Sequence, residues 1–181
     1  MRVFVALELP GDVRIGLGRS VEPFRGAPSV RWVPETNYHL TIRFLGQVPA
    51  GQLDDLTASL APVAAGTRAV RTSITGFGSF PLEGERARVL WAGVDDGAGH
   101  ISELATDVRA ALARWVPPDA DPYRPHITLG RCVPPHAAPD GWASAPVPDG
   151  TFSIRALSLF RSYVRAEGPT YERLHRASFL P

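Results

Sequence analysis

The 181-residue chain contains no lysine; all 19 of its basic residues are arginine. That excludes a lysine nucleophile, a Schiff base and the phosphate-binding lysine of a P-loop. The only cysteine is Cys132, so neither an internal disulfide nor a multi-cysteine metal site is possible. No apolar run approaches the roughly 18 residues of a membrane span. The opening MRVFVALELPGDV, broken by Glu8 and Pro10, lacks the h-region and cleavage site of a signal peptide. The expectation is a soluble, cytoplasmic chain with no membrane partner, and a monomer by default. His-x-His, His-Glu-x-x-His and Gly-x-Ser-x-Gly are all missing, which removes the usual signatures of zinc hydrolases and serine hydrolases. A net charge of +1 argues neither for nor against nucleic acid.

The chain is long enough to bury a core as a single domain spanning residues 1–181. RVFVALEL at Arg2–Leu9 reads as a strand. Val13, Leu17, Val21 and Phe24 recur at helical spacing, as do Leu53, Leu56 and Leu60, with Pro62 expected to end the second helix. SVRWV, YHLTIRFL, AVRTSITGF, ARVLWAGV and HITLG read as further strands, with a loop around Pro81 and Gly84. Ile101, Leu104, Val108, Leu112 and Trp115 mark the clearest amphipathic helix, stopped by PPDADP. Residues 134–150, rich in Pro, Ala, Gly and Asp, read as a loop. TFSIRALSLFRSYV and YERLHRASFL, joined through AEGPT, close the chain as a hairpin. The pattern predicts an α+β fold with antiparallel or mixed sheets, and helices sufficient to cover one face of each of two sheets.

One four-residue pattern occurs twice: His39-Leu-Thr-Ile and His126-Ile-Thr-Leu. Two such matches arise by chance in about one shuffled chain in a thousand, so the doubled pattern points to function. On a strand, alternation turns Tyr38, Leu40, Ile42 and Phe44, and likewise Ile127 and Leu129, toward the core. The same alternation displays His39 with Thr41, and His126 with Thr128, about 7 Å apart on the other face. Histidine titrates near neutrality, so one ring can act as base while its partner acts as acid. Threonine hydroxyls donate to anionic oxygens. Two such pairs facing across a cleft would grip a phosphate from both sides. The His-x-Thr spacing is not a metal-ligand spacing, and neither metal nor cofactor is expected.

These tetrads, together with RVFVALELP, VRWVPETNYHLTIRFLG, YRPHITLGR and LSLFRSYVRAEGPTYERL, make the chain resemble the 2H phosphoesterase superfamily. More narrowly, it is similar to the RNA 2′,3′-cyclic phosphodiesterases historically called 2′-5′ RNA ligases. The resemblance implies two pseudo-symmetric lobes, each giving one tetrad to a central active-site cleft. It implies hydrolysis of an RNA terminal 2′,3′-cyclic phosphate to a 2′-phosphate, with tRNA fragments among the candidate substrates. His39 would be the proton donor and His126 the acceptor, while Thr41 and Thr128 would hold the non-bridging oxygens. Without lysine the chain cannot adenylate itself, so any 2′-5′ joining would use the cyclic phosphate with a 5′-hydroxyl replacing water and no ATP. Small cyclic nucleotides, cyclic ADP-ribose phosphate, and RNA binding without turnover stay open as alternatives.

Regular alternation puts Arg43 on the face of His39 and Thr41 as a phosphate contact. It points Arg131 away from His126 unless a bulge intervenes. Trp32, Phe80 and Tyr123 lie near the expected cleft edges and read first as core aromatics; of the three, Tyr123 is the preferred platform for a base. His100, His136 and His175 lack a threonine two residues on and read as structural or surface residues.

Overall fold

The computed structural model describes residues 1–82, 86–117, 122–165 and 168–181. The turn read at Gly84, most of PPDADP, and Ala166–Glu167 of the closing turn lie outside the described residues. In chain order the elements are β1 (Arg2–Glu8), α1 (Gly11–Val21), β2 (Val30–Trp32), β3 (His39–Gln47), α2 (Leu53–Gly66), β4 (Val70–Thr72) and β5 (Ile74–Phe80). They continue with β6 (Ala87–Val94), α3 (His100–Ala111), β7 (His126–His136), β8 (Phe152–Ile154), β9 (Ala156–Tyr163) and β10 (Thr170–Ser178).

Every strand pair between these elements is antiparallel. The order is β10-β9-β1-β3-β7-β6-β5, with β2 beside β7, while β4 and β8 form a separate ribbon. The large sheet divides into two four-stranded halves that meet only at β3 and β7. There a single ladder pair, Leu40↔Ile127, joins them. These are the expected lobes, and their seam is formed by the two tetrad strands.

The apolar residues of the inner strands, including Val5, Leu7, Leu40, Ile127, Leu90 and Leu159, share one core with Leu17 and Val21 of α1, Leu56 and Leu60 of α2, and Ile101, Leu104 and Val108 of α3. Helix α2 lies against β9 and β10, and α3 lies against α2 and β3. Asp96 accepts from the backbone N–H of Ser102 at 2.9 Å, satisfying a donor that the first turn of α3 leaves unpaired. No helix among the described residues is long and apolar enough to cross a membrane.

Four boundaries differ from the expectation. Helix α2 runs through Pro62 to Gly66, because the buried face of Leu56 and Leu60 continues to Ala64; packing outweighs the lost backbone bond. AVRTSITGF is two strands, since β4 pairs with β8 and β5 with β6. HITLG extends to His136 because β6 reaches that far, pairing Ala87 with His136. Segment 134–150 is no loose excursion: Trp142 is 2% exposed and packs on Phe24, Trp32 and Phe77. Its indole N–H donates to the carbonyl of Gly78 at 2.8 Å.

Candidate active site

The Leu40↔Ile127 pair joins the second residue of one tetrad to the second residue of the other. In antiparallel register His39 then lies opposite Thr128, and Thr41 opposite His126. Leu40 and Ile127 go into the core. Alternation therefore places the two imidazoles and two hydroxyls on the other face as a square, with the histidines at opposite corners. Diagonal neighbours on such a ladder lie about 7–8 Å apart, a span that straddles one phosphorus. All four residues line a single cleft of ≈ 1160 Å³.

Each ring is held in the same way. His39 Nδ1 lies 2.7 Å from the carbonyl of Asn37, and His126 Nδ1 lies 2.7 Å from the carbonyl of Arg124. A carbonyl only accepts, so Nδ1 carries the proton in both rings and Nε2 is left for the cleft. The surroundings differ. His39 sits among Phe4 (centroids 4.9 Å apart), Tyr171 (5.2 Å) and Phe160 (6.4 Å). His126 meets the edge of Phe80 at 4.9 Å.

Burial among these rings pushes the His39 pKa down from 6.5 to about 4, with the Asn37 carbonyl opposing and His126 adding to the shift. Burial also lowers His126, opposed by the Arg124 carbonyl and reinforced by Arg131. Free at neutral pH, both rings are therefore neutral.

That depression carries a stability prediction. The unfolded chain takes up a proton at His39 near pH 6.5, and the folded chain only near pH 4. The stabilisation is complete above the unfolded value and is lost as pH falls toward the folded one. Wild type should lose about 2 kcal/mol more than His39→Phe between pH 7.5 and pH 5. Urea titrations of both proteins at each pH check this, and equal losses would place His39 in water rather than among the aromatics.

Both tetrad strands bulge at the tetrad's fourth residue. On β3, Ala6 pairs with Thr41 and Val5 with Arg43, leaving Ile42 without a partner. On β7, Trp91 pairs with Thr128 and Leu90 with Gly130, leaving Leu129 over. A bulge inverts the alternation beyond it. Arg43 is thereby carried to the face of Val5, where it is 4% exposed and its guanidinium donates to the carbonyl of Pro117. The expectation that it shares a face with His39 and Thr41 is corrected, although it still borders one end of the cleft. Phe44 takes the cleft-facing position at 57% exposure, backed by Phe4 at 5.6 Å. On β7 the same device brings exposed Arg131 into the cleft and sends Cys132 into the core.

Tyr123 also borders the cleft, but its hydroxyl donates to the Thr41 carbonyl at 2.7 Å and the Arg109 guanidinium lies 5.8 Å from its ring. It braces the first tetrad strand, and only a partly covered ring face is left for a base. Phe80 and Trp32 both reach the cleft wall. Trp32 lies over Gly130, where an added Cβ would stand 3.0 Å from its ring. His100 and His136 make their contacts outside the cleft, with Glu103 and with the Ala137 carbonyl.

Sequence reading missed Arg31, Phe4, Phe44 and Tyr171, because no spacing announces a bulge or a cross-strand neighbour. Five of the lining residues, Arg31, Arg43, Arg109, Arg131 and Arg165, are arginines, and none of the described lining residues is acidic. Among the described residues no group of three or more His, Cys, Asp or Glu side chains could hold a metal ion. The arrangement can hold an anion and pass protons on two sides of it.

Known proteins resemble this chain in sequence and fold. A family model described as the 2′-5′ RNA ligase superfamily matches residues 15–165. The RNA 2′,3′-cyclic phosphodiesterase of Thermus thermophilus is 33% identical, over 98% of this chain and 90% of that protein. The protein of the same name from Geobacillus stearothermophilus is 33% identical over 94% of this chain, but the match spans only 55% of that relative's length. The crystal structure of TT0787, also from Thermus thermophilus, superposes with a TM-score of 0.85 at 30% identity, covering 99% of this chain and 98% of that one. Apo LigT of E. coli shares the fold with a TM-score of 0.81 at 24% identity, covering 99% and 98%. With a match of this extent and two tetrads meeting at one rung of the sheet, the chain belongs to the 2′-5′ RNA ligase superfamily.

Proposed function

We propose that the chain hydrolyses the 2′,3′-cyclic phosphate at an RNA end to a 2′-phosphate without a metal ion. The observation that carries this is the square of His39, Thr41, His126 and Thr128 at the base of an arginine-lined cleft. The relatives named RNA 2′,3′-cyclic phosphodiesterase support the substrate class.

In this reading the hydroxyls of Thr41 and Thr128 and the exposed guanidinium of Arg131 bind the non-bridging oxygens. His126 Nε2 takes a proton from water as the water oxygen attacks phosphorus. The bond from phosphorus to the 3′-oxygen breaks, and His39 Nε2–H protonates that oxygen, leaving the 2′-phosphomonoester. Donor and acceptor stand at opposite corners of the square, as in-line displacement requires. With both Nδ1–H groups tied to carbonyls, neither ring can turn its proton away from the task.

His39 must be charged to donate, yet burial holds it neutral. The anionic substrate supplies what the aromatic pocket denies, so substrate binding draws a proton onto His39. Product affinity is accordingly expected to weaken with rising pH above about 4, falling by up to about tenfold per unit until His39 in the complex is itself neutral. Calorimetric titration of a 2′-nucleotide in buffers of different ionisation enthalpy would register the proton uptake, and zero uptake between pH 5 and 7 would contradict it.

The reading as a whole is tested with an oligonucleotide ending in a 2′,3′-cyclic phosphate, in excess EDTA, with the product identified by phosphorus NMR. A 2′-phosphate is expected. An unchanged substrate or a 3′-phosphate would overturn the assignment. A 5′-hydroxyl entering in place of water would use the same proton transfers to give a 2′-5′ linkage without ATP. Water's concentration makes hydrolysis the dominant direction.

A further inference from the structure

We propose that Arg31 holds the phosphate on the 5′ side of the terminal nucleotide and so makes the protein prefer an oligonucleotide end over a cyclic mononucleotide. This rests on the cyclic-phosphodiesterase reading of the same cleft.

Strand β2 pairs with β7 so that Arg31 stands directly opposite Arg131. Both side chains are exposed and line the cleft. Among the described residues neither makes an ion pair or a side-chain hydrogen bond. Like charges directly opposite one another destabilise an antiparallel pair, and none of the described lining residues is an acid to offset them. A bound anion relieves that repulsion, so the pair attracts phosphate more strongly than either arginine alone.

The two arginines sit on different strands. Arg131 shares β7 with His126 and Thr128 and, past the bulge at Leu129, lines the same cleft, which ties it to the reacting phosphate. Arg31 stands across the β2–β7 ladder from Arg131, on the edge of β7 that β3 occupies only at Leu40↔Ile127, so a strand leaving the reacting phosphate along the seam would bring its next phosphate to Arg31. Its backbone is fixed by its neighbour Trp32, whose ring lies against Gly130 and 5.7 Å from that of Trp142.

The cleft has room for more than one nucleotide. Its ≈ 1160 Å³ exceeds the roughly 300–1,000 Å³ of small-molecule pockets. Phe44 and Val133, 57% and 46% exposed, line it as well. Apolar surface between cationic groups is the composition of a single-strand groove.

The test compares three substrates: a mononucleoside 2′,3′-cyclic phosphate, a dinucleotide with the same cyclic end, and that dinucleotide with an uncharged methylphosphonate at its internal link. For wild type, kcat/KM should favour the charged dinucleotide over the mononucleotide by about 10-fold or more, through KM, and the methylphosphonate should erase the advantage. That factor is about the worth of one charge-assisted hydrogen bond to an exposed phosphate. Arg31→Gln should cut the dinucleotide advantage about 10-fold and no longer distinguish phosphate from methylphosphonate, while Arg31→Lys keeps part of the preference.

A wild type indifferent to the internal charge would overturn the proposal. So would an Arg31→Gln that lowers mononucleotide and dinucleotide in parallel, or one that keeps the full advantage. A wild type inactive on both cyclic ends would remove the cyclic-phosphodiesterase reading itself, and this inference with it.

Discussion

Replacing His126 by alanine is expected to slow hydrolysis of an RNA 2′,3′-cyclic phosphate by about 10²–10⁴-fold, and His39→Ala by a similar factor. Each factor is the usual worth of one positioned proton transfer. The two variants are distinguished by what remains. With His39 gone, the only titrating group of the pair is the base, so the residual rate should rise with pH and level off. With His126 gone, only the acid remains, so the residual rate should fall as pH rises. Wild type should combine both limbs into a bell whose apparent pKa values belong to the pair and not to either ring. An activated aryl phosphodiester, whose leaving oxygen needs no proton, should largely rescue His39→Ala and leave His126→Ala slow. Rescue of the opposite variant would exchange the donor and acceptor roles. His39 also packs against Phe4 and Tyr171, so its variant needs a urea midpoint measured beside the rate. A rate loss with a midpoint still well clear of assay conditions belongs to the chemistry.

The face that each tetrad presents was legible in the sequence because it depends only on strand period. A tetrad written His-x-Thr-x on a half-buried strand has one way to face, whereas the meeting of the two rests on the one ladder pair Leu40↔Ile127. The positions just beyond each tetrad were not legible. Arg43 and Arg131 follow simple alternation only if the strands are regular, and both strands carry a bulge at Ile42 and Leu129. A bulge is set by how the neighbouring strand's core residues fit: Val5 opposite Arg43, Leu90 opposite Gly130. No local signal in HLTIRFL or HITLGR encodes that fit. The two bulges occupy equivalent places, and together they exchange one expected arginine for another. Arg43 leaves the face of the first tetrad and Arg131 joins that of the second. Tyr123 borders the cleft, but its hydroxyl's bond to Thr41 depends on a contact across 82 positions. The arginine pair Arg31 and Arg131 is hidden for the same reason, since only the β2–β7 register sets them face to face.

Trp142→Ala is expected to destabilise the fold by about 3–5 kcal/mol, the usual cost of removing a large buried aromatic side chain. A typical domain has only about 5–15 kcal/mol to lose, so this change takes a large share. Trp142 lies in the Pro-, Ala- and Gly-rich segment that reads as a loop, yet its ring fills the space bounded by Phe24, Trp32 and Phe77. Its removal opens a void and leaves the Gly78 carbonyl without its indole donor. Trp142→Phe keeps most of the apolar contact and loses only that bond, and should cost about 1–2 kcal/mol. Urea midpoints at constant m-value separate the two contributions. The same experiment decides what segment 134–150 does. An anchor acts through stability: the midpoint of Trp142→Ala falls by a large share of its value, while kcat/KM measured well below the transition changes only as far as Trp32 lets Arg31 and Gly130 shift. A lid would give the reverse, with KM altered and the midpoint in place. The burial of Trp142 beneath β2 and β5 favours the anchor, because opening the segment on each turnover would expose a side chain now 2% exposed and break its ring contacts and its bond to Gly78.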